Sequence, residues 1–431
     1  MGEIIKIGLL GLGTVGRGVY CLLADNAENI QHKTGAHLQT ARILVRDPRK
    51  ERRLKINPAI LTGNYADIVD DPEIDIVVEV MCGIHPALDY TLQALTRGKS
   101  VVTANKNMVA IHGRELFEAA EEGHADIFFE GSVGGGIPII RPLKQCLAAN
   151  RIQKIMGIIN GTTNYILTEM TLEGKSFAHA LEEARAKGYA EADPTADIEG
   201  LDAAYKLTIL ASIAFNSRIM LEDIYVEGIS RITERDIAYA KELGYIVKLL
   251  AIAKEAKEGM EARVHPAFIP SGHPLASVNG VFNAIFVQGD AVGDTMFYGR
   301  GAGEMPTASA VVSDVMDAAR NRLHQVTDFI GCTCYEQKPV LPTGLAESKY
   351  YLRLLVADQP GVLASIAYAF GDKEVSLSSV IQKNTDTRRA EIVMVTHRVR
   401  EQNLQDALRI IEKLSVVDEV CAVIRVEGEE V

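Results

Sequence analysis

The chain has 431 residues, 47% of them apolar and 24% charged, with 45 basic against 57 acidic side chains and a formal net charge of −12. That length is too great for one ordinary core and fits two or three domains. The acidic balance disfavours a nucleic-acid or anionic-membrane partner, and no apolar run reaches the length of a membrane span. Six cysteines at 21, 82, 146, 332, 334 and 421 show no disulfide-like framework, so a cytoplasmic protein with reduced thiols is expected.

In chain order, IIKIGLL reads as a strand that enters GLGTVG, a Gly-rich turn opening a helix. HLQTARILVRD, EIDIVVEVMCG, KSVVTANK and ADIFFEGSV read as further strands, with ALDYTLQALTRG and RELFEAAEEGH as the helices between. Such alternation predicts a doubly wound parallel sheet of the Rossmann type over residues 1–133. After Gly134 the pattern changes. IPIIRPLKQCLAA, TNYILTEMTLEG and FAHALEEARAKG look helical, and a long helix is predicted from about Asp197 to Phe215. Strand-like ARVHPAFIP and AIFVQGD follow, giving an α+β domain for catalysis and dimerisation over 134–304. A helix over 305–322 returns to the first domain. Residues 326–348 have linker composition, and 349–431 reads β-α-β-β-α-β, a small ferredoxin-like module.

GLGTVG places Gly11, Gly13 and Gly16 at GxGxxG spacing around Leu12, Thr14 and Val15. Following a strand and opening a helix, it fits a turn whose amides approach a pyrophosphate, and equally a tight turn with no ligand. Arg46 stands at the end of the second strand, where NAD sites usually carry an acid. It suits the 2′-phosphate of NADP or simply belongs to a solvated basic loop. Lys106, ending SVVTANK, points toward the crevice beyond the sheet's carboxyl ends or is a surface lysine starting a helix.

GYAEADPTADIEGLDAAYKL sets Glu191, Asp193, Asp197, Glu199 and Asp202 ahead of one lysine, Lys206. At i and i+4 of a helix, Asp202 and Lys206 share a face, the ordinary signature of an exposed ion pair. The run LTILASIAF that follows is apolar, so the lysine also fits a general acid/base at the edge of a core. In EGSVGGGIP, Glu130 and the Gly-rich turn suit a hard cation such as Na⁺ or Ca²⁺, or a hinge between domains.

Together GLGTVG, TANK, EGSVGGGIPII, NGTTNYIL, GYAEADPTADIEGLDAAYKL and GRGAGEMPTASAVVSD resemble homoserine dehydrogenase over nearly the whole chain. The last 80 residues resemble an ACT regulatory module through VADQPGVLASIA. The resemblance implies NAD(P)-dependent interconversion of L-homoserine and L-aspartate 4-semialdehyde, on the route to threonine, methionine and isoleucine. It implies Lys206 as acid/base, Lys106 as an assisting cation, and Glu191, Asp197 and Asp202 as substrate-binding residues. It further implies Gly188 and Gly303 at the cofactor, and Na⁺ held by Glu130 with the carbonyls of Val133, Gly135 and Ile137. Cys82 stands where family members usually carry glycine. An amino-acid effector, L-threonine, is expected at the ACT module, and a homodimer or homotetramer as the assembly. Deletion from Ser348 onward is expected to leave a folded, active enzyme. The rival readings are an enzyme like aspartate-semialdehyde dehydrogenase, which needs a thiol nucleophile, and a non-catalytic amino-acid sensor.

Overall fold

The computed structural model describes residues 3–52, 54–327, 331–384 and 388–428. Two compact units emerge, each assembled from separated stretches of chain. The first comprises Met1–Gln153, Tyr205–Leu221 and Asn283–Gln337, and the second Lys154–Ala204, Glu222–Phe282 and Lys338–Val431.

The first unit is built on a six-stranded parallel sheet: β1 (Glu3–Leu10), β2 (Ala36–Leu44), β3 (Leu61–Thr62), β4 (Ile74–Glu79), β5 (Ser100–Thr103) and β6 (Ile127–Phe128). Their spatial order is β3-β2-β1-β4-β5-β6, so the winding reverses between β1 and β4. Val, Ile and Leu fill both faces of the central strands, as a sheet covered by helices on both sides requires. Ile7, Ile76, Val77, Val78, Val101 and Val102 are fully buried. The covering helices are α1 (Thr14–Asp25), α2 (Ala27–Thr34), α3 (Ala66–Val69), α4 (Ala87–Thr96) and α5 (Lys106–Glu122). The stretch read as helical after Ile137 forms only a short π-helical turn, Pro142–Cys146; the proline leaves the turn one amide short.

The second unit begins with β7 (Ile152–Ile158), followed by α6 (Gly161–Glu173) and α7 (Phe177–Ala186). The long helix expected from Asp197 is in fact two, α8 (Thr195–Ile198) and α9 (Leu201–Ala214), the second of which passes into the first unit at Tyr205. Gly200 breaks it: its φ is +82°, a left-handed conformation that a side chain resists. Its Cα also faces the methyls of Val226 and Val264, which an added Cβ would meet at 3.2 Å. Next come β8 (Tyr225–Val226), α10 (Glu234–Glu242) and the long antiparallel pair β9 (Tyr245–Ala256) and β10 (Gly259–Pro270). The chain returns to the first unit with β11 (Phe282–Gly289), β12 (Gly293–Arg300) and α11 (Glu304–Leu323). Helix α11 packs on α1 so closely that a Cβ on Gly18 would lie 2.8 Å from the Glu304 carbonyl oxygen. Its buried face, Ala308, Val311, Val312, Val315 and Ala318, joins the core beneath the parallel sheet.

The C-terminal module is β13 (Glu347–Ala357), α12 (Val362–Asp372), β14 (Leu377–Asn384), β15 (Arg389–Thr396), β16 (Val399–Arg400), α13 (Glu401–Ile411) and β17 (Val417–Val426). Four strands in the order β17-β13-β15-β14 form the ferredoxin-like sheet, and a fifth, β16, makes a short pairing with β13. Inward Leu352, Leu354, Ile392 and Met394 meet Ile366, Phe370, Leu404 and Ile411 of its two helices. The module is not a freely hung appendage. Strand β17 pairs parallel with β10 at Ala267↔Arg425 and Phe268↔Val426, placing both in one sheet of order β7-β9-β10-β17-β13-β15-β14. Buried ions cross the same seam. Arg263 of β10 meets Glu427 at 2.5 Å and Ser348 Oγ at 3.0 Å. Arg353 of β13 bonds Asp236 of α10 at 2.8 Å, and Arg425 reaches Glu227 at 2.9 Å. Deletion from Ser348 would remove Glu427 and Arg353, the cross-seam partners of Arg263 and Asp236, so the module is built into the second unit rather than hung beside it.

Candidate active site

In the first unit the Gly-rich turn sits at the carboxyl end of β1, beside the reversal point. Gly11 has φ +98° and lies against the Val80 carbonyl, with 3.1 Å to a would-be Cβ. Gly16 has no such φ but almost touches the Gly11 carbonyl, 2.2 Å from where a Cβ would stand. The backbone of α1 can therefore run close under the turn. Gly13 caps the helix with open space around it, and Thr14 begins it. Leu12 and Val15 pack partly against the core. Twelve helical residues direct their amino-terminal amides at this turn, which suits a pyrophosphate.

Arg46 is exposed just past the end of β2, and among the described residues no hydrogen bond or ion pair engages it. The neighbouring Asp47 carboxylate accepts the Arg49 amide at 2.9 Å, which ties it into its own turn. Lys106 opens α5 directly after β5, with Asn105 as the cap: its Oδ1 accepts the Met108 amide at 3.2 Å and its Nδ2 donates to Gly83 O at 2.7 Å. Cys82 is exposed on the loop after β4 that Asn105 thereby anchors. Glu79 ends β4 fully buried, accepting Thr103 Oγ1 at 2.6 Å and the Met81 amide at 2.7 Å. Burial pushes its carboxyl up to about 7, against the pull of those donors. Sequence reading did not mark this residue; a lone Glu closing an apolar strand was its signal.

The EGSVGGGIP turn also lies in this unit. Both oxygens of the Glu130 carboxylate are committed, accepting the amides of Ile139 (2.5 Å), Ile140 (2.7 Å) and Arg141 (2.8 Å). Behind it Asp314 is pushed up to about 8 by burial and by the Glu130 charge, while accepting the Glu130 amide. The carbonyls of Val133, Gly135 and Ile137 are buried and accept no backbone amide among the described residues. Those carbonyl oxygens fit a hard monovalent cation, and the Glu130 carboxylate, which accepts three amides, also braces the turn. Gly303 caps α11 with φ +129°.

In the second unit the acidic run is organised by a residue that sequence reading passed over, Asn160. It caps α6: its Oδ1 accepts the Thr163 amide (2.9 Å) and hydroxyl (3.0 Å). That fixes the amide group, whose Nδ2 donates to Asp197 at 2.7 Å and to Asp202 at 2.9 Å. Two carboxylates on opposite sides of the Gly200 break are thus clasped by one neutral donor. The motif NGTTNYIL carried the cue, an Asn three residues before a Thr at a helix start. Glu191 stands apart, exposed on the loop that follows Gly188, whose φ is +74°. Thr162 Oγ1 donates to Tyr189 O at 2.7 Å, holding that loop against α6. One turn beyond Asp202 on α9 comes Lys206, 9% exposed beside Asp202 at 8%, so neither is the solvated surface charge that the spacing alone allowed.

Comparison with known proteins matches three consecutive stretches of the chain. The family model for homoserine dehydrogenase matches residues 138–316, its NAD-binding domain 11–130, and the ACT domain 350–416. Homoserine dehydrogenase of Bacillus subtilis is 44% identical over 431 residues, covering 99% of each chain. That of Synechocystis is 47% identical, covering 98% of this chain and 99% of the other. Among solved structures, homoserine dehydrogenase from Thiobacillus denitrificans superposes with a TM-score of 0.93 at 45% identity over 99% of both chains. A hyperthermophilic archaeal homoserine dehydrogenase mutant in complex with NADPH superposes at 0.62 and 29% identity, over 73% of this chain and 98% of that one. Identity at this level along the full length, with all three modules in register, settles the assignment: the chain belongs to the homoserine dehydrogenase family.

Proposed function

We propose that Lys206 is the general acid/base of this oxidoreductase, with Lys106 assisting and Asp197, Asp202 and Glu191 binding the substrate's polar groups. Homoserine dehydrogenase activity itself follows from the family, which sets aside the thiol-dependent and non-catalytic alternatives. The nicotinamide cofactor supplies or accepts the hydride at the carbonyl carbon. The chain's own task is to bind, orient and move one proton. The observation that carries the reading is the Asn160 clasp. It gathers two carboxylates on one neutral donor, one helical turn before a buried lysine. A buried ammonium beside a reacting oxygen can give the hydroxyl proton in one direction and take it back in the other. Replacing Lys206 by Ala should lower kcat by about 10²–10⁴-fold in an NADPH-oxidation assay with the semialdehyde. Near-normal turnover of a folded variant would remove Lys206 from the chemistry.

NADP is the preferred cofactor in this reading, with NAD a lesser one, because Arg46 is exposed and uncommitted where the adenosine ribose falls. Na⁺ is assigned to Glu130 with the carbonyls of Val133, Gly135 and Ile137. L-Threonine is assigned as effector of the ACT module, where Asp358, Pro360 and Gly361 form the turn between β13 and α12, with Gly361 capping the helix. A cytoplasmic homodimer or homotetramer is the form the resemblance implies; among the described residues no helix is long and apolar enough to cross a membrane.

A further inference from the structure

Cys332 and Cys334 lie in the first unit, in the stretch expected to be a featureless linker, and the chemistry above uses neither. Strand-like contact fixes this stretch: Glu336 bridges Ser217, and its amide donates to Asn216 O at 2.8 Å. The Cys334 thiol hydrogen-bonds the Cys332 sulfur and lies 3.9 Å from Ser212 O near the end of α9. Arg218 Nη2 approaches Cys332 Sγ to 3.8 Å. Lys144 donates to Gly331 O at 3.0 Å and rests over the rings of Phe117 and Phe129. Cys332 is exposed and Cys334 partly so. Both line a cavity of about 310 Å³ with Phe117, Phe129, Lys144 and Arg218, and a second of about 710 Å³ with Arg114 and Arg320.

We propose that Cys332 and Cys334 are a peroxide-sensitive dithiol, with Cys332 the attacking thiolate and Cys334 the resolving thiol. The Cys334 hydrogen bond draws Cys332 well below an ordinary thiol, and Arg218 and Lys144 add to it, while Cys334 is raised and stays protonated. Attack by the Cys332 thiolate breaks the O–O bond of hydrogen peroxide. One oxygen goes to sulfur as a sulfenic acid, and the other leaves as water after taking a proton. The Cys334 sulfur then displaces hydroxide from that sulfenic acid, its own proton completing a second water, and the Cys332–Cys334 disulfide results. Two thiols are oxidised by two electrons and one peroxide is reduced. The remaining four cysteines serve as controls, Cys82 and Cys146 being exposed as well.

The test uses the full-length protein and hydrogen peroxide. Alkylation by iodoacetamide at pH 6, read peptide by peptide, should modify Cys332 about tenfold or more faster than Cys82 or Cys146. Its larger thiolate fraction outweighs the lower nucleophilicity of a more acidic thiol at that pH. Peroxide should yield a peptide linking Cys332 to Cys334 that dithiothreitol reverses. Cys334→Ser should instead give a sulfenic acid on Cys332 that dimedone traps, and Cys332→Ser should lose the reaction. Alkylation of Cys332 no faster than of Cys82, or peroxide products without the 332–334 link, would overturn the proposal.

Discussion

Glu79 shows how a single buried carboxyl sets a pH dependence. Its folded pKa, near 7, lies above the ordinary value of 4.5 because burial disfavours the charge. Below pH 4.5 the folded and unfolded chains both hold the proton, and Glu79 costs nothing. Between 4.5 and 7 the unfolded chain releases it while the folded chain keeps it, so stability falls as pH rises; above 7 the deficit is constant. Glu79→Gln should therefore raise the melting temperature at pH 8 and leave it almost unchanged at pH 4.5, the gain approaching about 2–3 kcal/mol. An equal shift at both pH values would show that packing, not ionisation, is responsible. Arg46 is the corresponding test on the surface. A charge-assisted contact to a 2′-phosphate is worth roughly 1.5–3 kcal/mol, so Arg46→Ala should raise KM for NADP about tenfold or more and leave KM for NAD nearly unchanged. Equal effects on the two cofactors would detach Arg46 from the phosphate. At this scale the sequence showed the charged residues well, because lysines and carboxylates in an apolar setting stand out. It did not show Asn160 or Glu79, whose importance comes from partners 37 to 42 and 24 residues away.

Helix α9 is the element on which the site turns, and its start is fixed by Gly200 rather than by a side-chain cap. The helical period runs through 197–215 without interruption, which is why a continuous helix was expected. The break is imposed from outside by Val226 and Val264 against the Gly200 Cα. Gly200→Ala must both adopt a left-handed φ, at about 1–2 kcal/mol, and move those methyls by a few tenths of an ångström. The expected result is a lower melting temperature together with a raised KM for the semialdehyde, since Asp197 and Asp202 flank the break and would no longer both reach Asn160. A variant that melts lower but keeps its KM would separate the break from substrate binding. Strands were the more legible elements. β1, β2, β4, β5 and β6 fall on the stretches read as strands, whereas the two-residue β3 carries too few residues for a pattern.

For the whole molecule, composition and element order pointed to three consecutive modules, and the fold delivers two units with the ACT module joined to one of them. The reason lies in contacts that no local pattern reveals: a two-residue parallel pairing of β17 with β10, and ions such as Arg263 and Glu427 that are 164 residues apart. Removal of residues 348–431 takes Glu427 from Arg263, which keeps Glu261 at 3.0 Å, takes Arg353 from Asp236, and uncovers the edge of β10 that β17 pairs with. The truncated chain should melt well below the full-length protein or fail to accumulate in soluble form. A truncated enzyme as stable as the full chain would show that the seam contributes little. Threonine belongs to the same experiment: in the full-length enzyme it should reduce activity at millimolar concentration and shift the melting curve. Absence of both effects would leave the module a purely structural role.

The interleaving of the two units bears on synthesis. The parallel sheet begins at residue 3, yet the core beneath it is closed by α11, which ends at Leu323. Likewise β10 is complete at Pro270, but the carboxylate that meets its Arg263 is Glu427, 164 residues after it. Neither unit can therefore finish on the ribosome in the usual order of one domain after another. The nascent chain must carry the open edge of β10, and an Arg263 that has Glu261 but not yet Glu427, until β17 emerges. A stop at codon 427 would leave every strand in place and still remove the carboxylate that meets Arg263, making this one late residue a check on the seam built before it.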